Sequence, residues 1–231
     1  QSASLLRRSA RPRRPRTGRH ELLNQTENLL NLIARITPFL LLVLPACSDV
    51  EKDEHDHEHE VITTVILTFT SQTDDSELEF SWSDADNSAS PVIDDIVLQD
   101  ASDYTLSVEF LNELEDPAED ITPEVADEDD EHQIFFTGSA VEGPATGTNA
   151  DAIIGHAYAD TDANELPLGL DNTITTLAVG LGELTVSLRH LPMESGNPVK
   201  FEDMAEDVAE GGFGAIPGEN DVQVNFNIAV E

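Results

Sequence analysis

Cysteine is almost absent from this 231-residue chain, because Cys47 is the single one. A lone cysteine excludes an intramolecular disulfide framework and any zinc site built from several thiolates. Basic residues are scarce after Cys47, because residues 48–231 contain three Lys and Arg but 45 Asp and Glu. The whole chain has a net charge of −36. Nucleic acids and anionic membrane surfaces are bound through a basic footprint, so the composition argues against direct binding of either by this segment.

The common catalytic signatures are also missing. The sequence contains no Gly-x-Ser-x-Gly nucleophile elbow, no His-Glu-x-x-His motif, no P-loop and no glycine-rich dinucleotide fingerprint. Pairs of carboxylates are abundant, but in a chain this acidic their spacing carries no information. We therefore expect a binding or structural protein rather than an enzyme.

The N-terminal part has a different character. It holds eight of the 11 bases, and residues 36–45 form an apolar run. A run of about ten residues is too short for a membrane-spanning helix but typical of a secretory signal. Leu44-Pro45-Ala46-Cys47 resembles the bacterial lipobox, whose cysteine becomes the lipidated first residue. We expect residues 1–46 to be a signal peptide with an upstream extension, and Cys47 to anchor the protein to the outer membrane by lipid.

An acidic, histidine-rich tether is predicted over residues 47–60. Its start, Ser48 to Glu54, resembles the segment that directs some Bacteroidota lipoproteins to the cell surface, and its high charge favours disorder. In an extended chain His55, His57 and His59 project to one side, and three imidazoles with carboxylates opposite suit Zn²⁺, Ni²⁺ or Cu²⁺. We interpret this tract as a flexible metal-capture arm. The alternative is a solvated tether whose histidines are incidental.

Residues 61–231 show the period-2 apolar pattern of half-buried strands. The clearest run extends from Val222 to Val230, and Leu184, Val186 and Leu188 alternate as regularly. Eight or nine such runs, separated by Gly, Pro, Asn and Asp clusters, predict one all-β domain. An antiparallel β-sandwich is the leading architecture, and a small barrel is the alternative.

Two short helical inserts are predicted between strands. The first runs from Thr122 to about Glu131, and the second from Phe201 to Glu210. On a helix Glu128 and His132 lie at positions i and i+4 and so share one face. With Glu119 nearby they predict a mixed carboxylate–imidazole metal site, with zinc as the foremost ion. The alternative for His132 is a junction histidine that is hydrogen-bonded locally.

Two further sets of side chains are candidates for a metal. His190 continues the apolar face of Leu184, Val186 and Leu188, so it points to the core or its rim, either as a ligand or as a satisfied buried histidine. Asp160, Asp162 and Asn164 place oxygen atoms at alternate positions, as in the first half of an EF-hand loop. Because position 6 is Glu165 rather than glycine, the loop is no EF-hand. It is either a calcium-stabilised turn or an Asx-rich turn that needs no ion.

Several short stretches carry a family resemblance. They are Val61–Val65, Phe110–Glu113, Pro117–Thr122, Asp130–Gln133, Tyr158–Asn164 and Leu188–Pro192. The chain resembles, in these stretches, small Bacteroidota lipoproteins often labelled "type 1 periplasmic binding fold superfamily protein". That label names a two-lobed α/β fold, whereas the strand pattern predicts all-β. The resemblance implies no catalytic residues, and it places His132 and His190 inside family motifs, which favours His132 as a ligand.

The leading interpretation is an envelope-anchored lipoprotein that binds a divalent metal and passes it to an outer-membrane transporter such as a TonB-dependent receptor. One alternative is a structural or adhesive surface module stabilised by calcium. Another is a lipoprotein that binds an organic solute.

Overall fold

A computed structural model of the protein describes residues 60–231, so Cys47 and the histidines at 55, 57 and 59 lie outside the described residues. The strands are β1 (Thr64–Ser71), β2 (Glu77–Ser83), β3 (Val92–Ile93), β4 (Ile96–Leu98), β5 (Asp103–Asn112), β6 (Glu119–Asp120), β7 (His132–Thr137), β8 (Val141–Glu142), β9 (Ile154–Tyr158), β10 (Asp171–Thr176), β11 (Gly180–His190) and β12 (Glu219–Val230). The helices are α1 (Thr122–Asp127), α2 (Met204–Gly211) and a 3₁₀ turn at Phe213–Ala215.

The strands form two sheets. The larger has the order β3-β2-β1-β5-β10-β9-β8, with β6 on β5, and the smaller has the order β4-β12-β11-β7. Neighbouring strands are antiparallel except for β4 with β12 and β8 with β9, which are parallel. The predicted all-β fold with short helical inserts is confirmed. The apolar run at 92–98 is divided between the sheets, because β3 pairs with β2 and β4 pairs with β12.

The main core lies between the sheets. Val65, Leu67 and Phe69 of β1 are fully buried, and Val224 and Phe226 of β12 are buried with them in one apolar cluster. Alternation along β5, and along β12 from Val222 onward, places every second side chain in this core. Full burial of one such side chain contributes about 1.5–3 kcal/mol relative to its exposed state, so this pattern fixes the register of both sheets.

Helix α2 covers part of the opposite face of the smaller sheet. Met204 and Val208 pack there with Phe135 and Leu191 in a second, smaller core. The helix starts three residues later than predicted and ends at Gly211, followed by Gly212, whose φ of 69° favours glycine. Among residues 60–231 neither helix has the length and apolar content needed to cross a membrane.

The prediction that Glu128 and His132 share a helix face is wrong. Helix α1 ends at Asp127, and Glu128 already has a non-helical φ of −106° and ψ of 40°. His132 instead begins β7, where it pairs with His190. The ladder to β11 and the burial of Ile134 and Phe136 stabilise a strand here rather than another helical turn.

Candidate metal centre

Four side chains from distant parts of the chain converge at one end of the main core. Each contributes a ligand atom, and these atoms all lie within 4.8 Å of one another. Their side chains are between 0 and 6% exposed. The four residues, which form the only such group among residues 60–231, are Glu60, His132, His190 and Asp221.

The two histidines are direct cross-strand partners. His132 opens β7 and His190 closes β11, and the ladder places them opposite each other. Their ring centroids are 4.9 Å apart with an angle of 40° between the planes. Each histidine lies on the core-facing side of its strand, His132 next to Ile134 and His190 next to Leu188 on that side. The apolar core therefore ends in an imidazole pair. The sequence correctly predicted the face of His190.

Asp221 reaches this face through a β-bulge. The register between β11 and β12 shifts between Leu188 and Arg189, so that Leu188 pairs with Val222 while Arg189 pairs with Asn220. Asp221 is the additional residue, and its side chain is completely buried. Bulges redirect a side chain that regular alternation would point outward. The Arg189 guanidinium donates to Asn220 Oδ1 over 3.0 Å and so holds this part of β12.

Glu60 enters from the larger sheet's side, four residues before β1. Its Oε1 lies 3.2 Å from His132 Nε2, and its side chain is 5% exposed. The other oxygen, Oε2, is buried without a hydrogen-bond partner among the residues that the structure describes. A buried carboxylate with an unused oxygen is costly unless a cation compensates it.

The tautomer of His132 is fixed by the turn that precedes β7. Its Nδ1 lies 3.2 Å from the carbonyl oxygen of Glu128. A carbonyl oxygen only accepts, so Nδ1 carries the hydrogen and Nε2 faces the centre. There it meets Glu60 Oε1 at 3.2 Å and Asp221 Oδ2 at 3.8 Å. These three atoms are all acceptors when the imidazole is neutral, so either a proton or a metal cation must lie among them.

Without a metal, the surroundings of His132 favour its protonated form. Burial opposes protonation of His132, but the hydrogen bond and charge of Glu60, together with the charge of Asp221, outweigh it and raise the pKa of His132. Burial in turn opposes ionisation of Glu60, but the hydrogen bond and positive charge of His132 lower the pKa of Glu60. The two groups therefore favour a charged pair in place of a bound cation.

One more carboxylate, that of Glu131, lies near the candidate ligands. Glu131 Oε2 lies 4.0 Å from His190 Nε2, while His190 Nδ1 lies 3.9 Å from Asp221 Oδ1. Glu131 is itself fixed, because Leu191 N–H donates to its carbonyl oxygen over 2.6 Å and Met193 N–H donates to its carboxylate over 3.3 Å. A carboxylate behind a ligating imidazole and a carbonyl behind another are the usual supports of metal-bound histidine.

The spacing and charge of the four residues fit a divalent ion. Two ligand atoms about 2.0–2.1 Å from a tetrahedral zinc ion lie about 3.3 Å apart. The shortest separations here, 3.2 and 3.8 Å from His132 Nε2, are already close to that value. Two carboxylates also neutralise a dication, so the occupied centre would bury no net charge.

The structure places Glu119 and Glu128 outside this group. Glu119 lies in the exposed β6, and Glu128 contributes its carbonyl oxygen rather than its carboxylate. The carbonyl oxygen of Glu128 lies 3.2 Å from His132 Nδ1. The pKa of Glu124 is raised by its burial and then by the charges of Glu60, Glu128 and Glu119, which marks a strongly negative neighbourhood.

Protein donors occupy the carboxylates of the predicted calcium loop. Asp160 accepts backbone hydrogen bonds from residues 169, 170 and 171, at 2.7–3.0 Å. Asp162 accepts from the N–H groups of Asn164 and Leu166 and lies 3.1 Å from Lys200 Nζ, with both side chains of this ion pair fully buried. These contacts organise the loop without an added ion, so the loop geometry does not favour calcium.

Both bases of residues 60–231, Arg189 and Lys200, are buried, at 8 and 7% exposure. They form internal hydrogen bonds, Arg189 with Pro217 O and Lys200 with Asp129 O. This domain contains 39 Asp and Glu, and most of their carboxylates lie on its outer surface, which they dominate. Such a surface attracts cations and repels anions over about a Debye length.

No protein-family model, curated protein or solved structure matches the chain. Sequence reasoning selected His132 and His190 but missed Glu60, which it placed in the tether, and Asp221, which regular alternation assigns to the outer face.

Proposed function

We propose that this protein is an envelope-anchored lipoprotein that binds one divalent transition-metal ion, zinc foremost, between Glu60, His132, His190 and Asp221. The observation that carries the proposal is the buried convergence of three acceptor atoms, His132 Nε2 and one carboxylate oxygen each from Glu60 and Asp221, which need a proton or a metal cation among them. A proton satisfies this requirement in the apo-protein, and a metal ion satisfies it more completely because it also engages Glu60 Oε2 and His190.

The donor set supports a transition metal over calcium. Two imidazoles with two carboxylates suit zinc, iron, manganese or nickel, whereas calcium takes six to eight oxygen ligands. Zinc is foremost because it accepts four ligands of mixed nitrogen and oxygen type at tetrahedral angles. Four protein ligands would leave no position for a substrate, so the centre fits binding and transfer of the ion rather than catalysis.

The surroundings support collection of cations. An acidic surface raises the local concentration of divalent ions and the rate at which they arrive. The tether with His55, His57 and His59 ends next to Glu60 in the sequence, so a captured ion would need to travel only a few residues. A lipid anchor at Cys47 would keep the protein beside an outer-membrane transporter, such as a TonB-dependent receptor, that takes up the ion.

A zinc titration by calorimetry tests the proposal on the full chain. The variant in which His55, His57 and His59 are all changed to Asn removes the tether ligands, and we expect it to retain one tight zinc site. His132→Gln in the same background should abolish that site, and Glu119→Gln should leave it intact because Glu119 lies in the exposed β6. Tight binding that survives His132→Gln would contradict the proposal.

A further inference from the structure

We infer that Glu60 is the exchange ligand of the metal centre, the one residue that must leave for the ion to enter or escape. The inference rests on the proposed function and adds how the ion is loaded and released. It follows from the way in which each of the four ligands is held by the fold.

Three ligands are fixed in one rigid element. His132, His190 and Asp221 belong to β7, β11 and β12, which are neighbours in the smaller sheet. Cross-strand pairing places the two histidines opposite each other. The bulge turns the side chain of Asp221 toward them, and the hydrogen bond from Arg189 to Asn220 holds this bulge. Moving the backbone at any of the three would require breaking the ladder of this sheet.

Glu60 is held differently. It precedes the strands, and hydrogen bonding of this segment to the larger sheet begins at Thr63, whose N–H donates to Leu111 O over 2.9 Å. Val61 is 48% exposed, and Ile62, which packs against the core, is only partly buried. The carboxylate of Glu60 is therefore attached to the centre mainly through its contact with His132 and, when an ion is bound, through the ion itself.

The position of Glu60 also closes the centre. The side chains of His132 and Asp221 have no exposure, and those of Glu60 and His190 have 5 and 6%. The exposed Val61 follows directly, so surface lies next to Glu60 along the chain. Rotation of residues 60–62 away from the histidine pair would open the centre and leave three ligands on the smaller sheet, whereas their return would complete it.

This arrangement predicts a kinetic signature that distinguishes an exchange ligand from an ordinary one. Loss of an ordinary ligand raises the rate of release and leaves the rate of binding unchanged. Loss of a ligand that must first move aside raises both rates, because the open form no longer has to be populated before the ion binds.

The test measures zinc association and release by stopped flow on the full chain with His55, His57 and His59 changed to Asn. A fluorescent zinc indicator reports association, and a chelator in excess drives release. We expect Glu60→Ala to accelerate association about tenfold and release about 100-fold. Asp221→Ala should accelerate release alone, and Glu119→Gln should change neither rate.

Each result decides between the possibilities. An increase of the release rate alone in Glu60→Ala, or no change of either rate, would overturn the exchange role while leaving metal binding intact. Absence of zinc binding by the parent protein would instead overturn the proposed function itself.

A second measurement does not depend on the folding of any variant. Hydrogen exchange of the parent protein should show that zinc slows exchange at Val61 and Ile62 at least tenfold. The amides of the β7–β11 ladder should change less, since the sheet already protects them. Equal exchange at Val61 and Ile62 with and without zinc would overturn the inference.

Discussion

His132 and His190 face each other across β7 and β11 with their ring centroids 4.9 Å apart, and both residues are buried. Buried imidazoles at this separation repel one another if both are charged, so the pair needs the carboxylates of Glu60 and Asp221 beside it. The charges of the two imidazoles and the two carboxylates therefore balance only when all four side chains are present.

Replacing the carboxylate behind His190 should weaken zinc binding without removing a ligand. Glu131→Gln keeps the size of the side chain but loses the charge that faces His190 Nε2 at 4.0 Å. Supporting groups of this kind usually contribute 10–100-fold to metal affinity, so we expect a loss of about tenfold in a calorimetric zinc titration. Glu77→Gln, an exposed change in β2, is the matched control. An unchanged affinity in Glu131→Gln would show that His190 needs no such support.

Zinc affinity should fall as the pH decreases, starting from a higher pH than an ordinary histidine would give. Burial opposes protonation of His132, but Glu60 and Asp221 raise its pKa above 6.5, and zinc must displace that proton. Titrations between pH 5 and 8 should therefore show affinity declining already above pH 6.5. An affinity that stayed constant down to pH 6 would contradict the assignment of His132 Nε2 as a ligand atom.

The same pKa shift has the opposite effect on the stability of the apo-protein. A raised folded-state pKa means that the His132–Glu60 pair stabilises the fold below pH 6.5 and that this contribution is lost as the pH rises through the folded pKa. The difference in free energy of unfolding between the zinc-free parent and His132→Gln should accordingly shrink between pH 6 and 8. Urea denaturation measures it. A difference that grew with pH would refute the charged pair.

The sequence predicted those parts of the centre that depend on local patterns. Period-2 alternation carries His190 onto the core face, and the same alternation relates His132 to Ile134 and Phe136 once its segment is recognised as a strand. The helix signal at Thr122 and Pro123 misled for His132, because α1 stops after six residues. Local propensity gives the start of a helix better than its end, which tertiary pairing decided here.

The other two candidate ligands could not be found from local patterns. Asp221 reverses its face through a bulge that depends on the pairing of β11 with β12, and those strands are separated by 28 residues of loop and helix. Glu60 lies in a stretch whose charge resembles that of the tether, and only folding brings it to residues more than 70 positions away. In a chain with 47 acids, no single Asp or Glu stands out as a ligand.

A third histidine should destabilise the fold in acid. His156 is buried against Phe136 and Tyr158, and its Nε2 lies 3.0 Å from Asn172 Oδ1. Burial lowers the pKa of His156 to about 4, and the contact with Asn172 only partly opposes this. Since the unfolded state takes up the proton near pH 6.5, the free energy of unfolding should fall by about 3 kcal/mol between pH 6.5 and 4 from this residue.

His156→Phe isolates this contribution. The substitution keeps an aromatic ring against Phe136 but removes the titrating group, so the variant should lose less stability than the parent between pH 6.5 and 4. Because Asn172 Oδ1 loses its partner, the variant should be less stable than the parent at pH 7. Urea denaturation of zinc-free protein at several pH values measures both effects. Parallel pH profiles of parent and variant would show that His156 does not titrate in this range.

The connection before β12 should tolerate no side chain at Gly218. This residue has a φ of 83°, and a Cβ atom built there would lie 2.0 Å from the carbonyl oxygen of His190. Gly218→Ala must therefore shift either this connection or the end of β11 that carries the ligand. We expect the free energy of unfolding to fall by more than about 1 kcal/mol and zinc affinity to fall with it. Gly214→Ala is the matched control, because no atom lies within 4 Å of its added Cβ. Thermal unfolding and a zinc titration of both variants provide the comparison, and wild-type affinity in Gly218→Ala would mean that the position of His190 does not depend on this close contact.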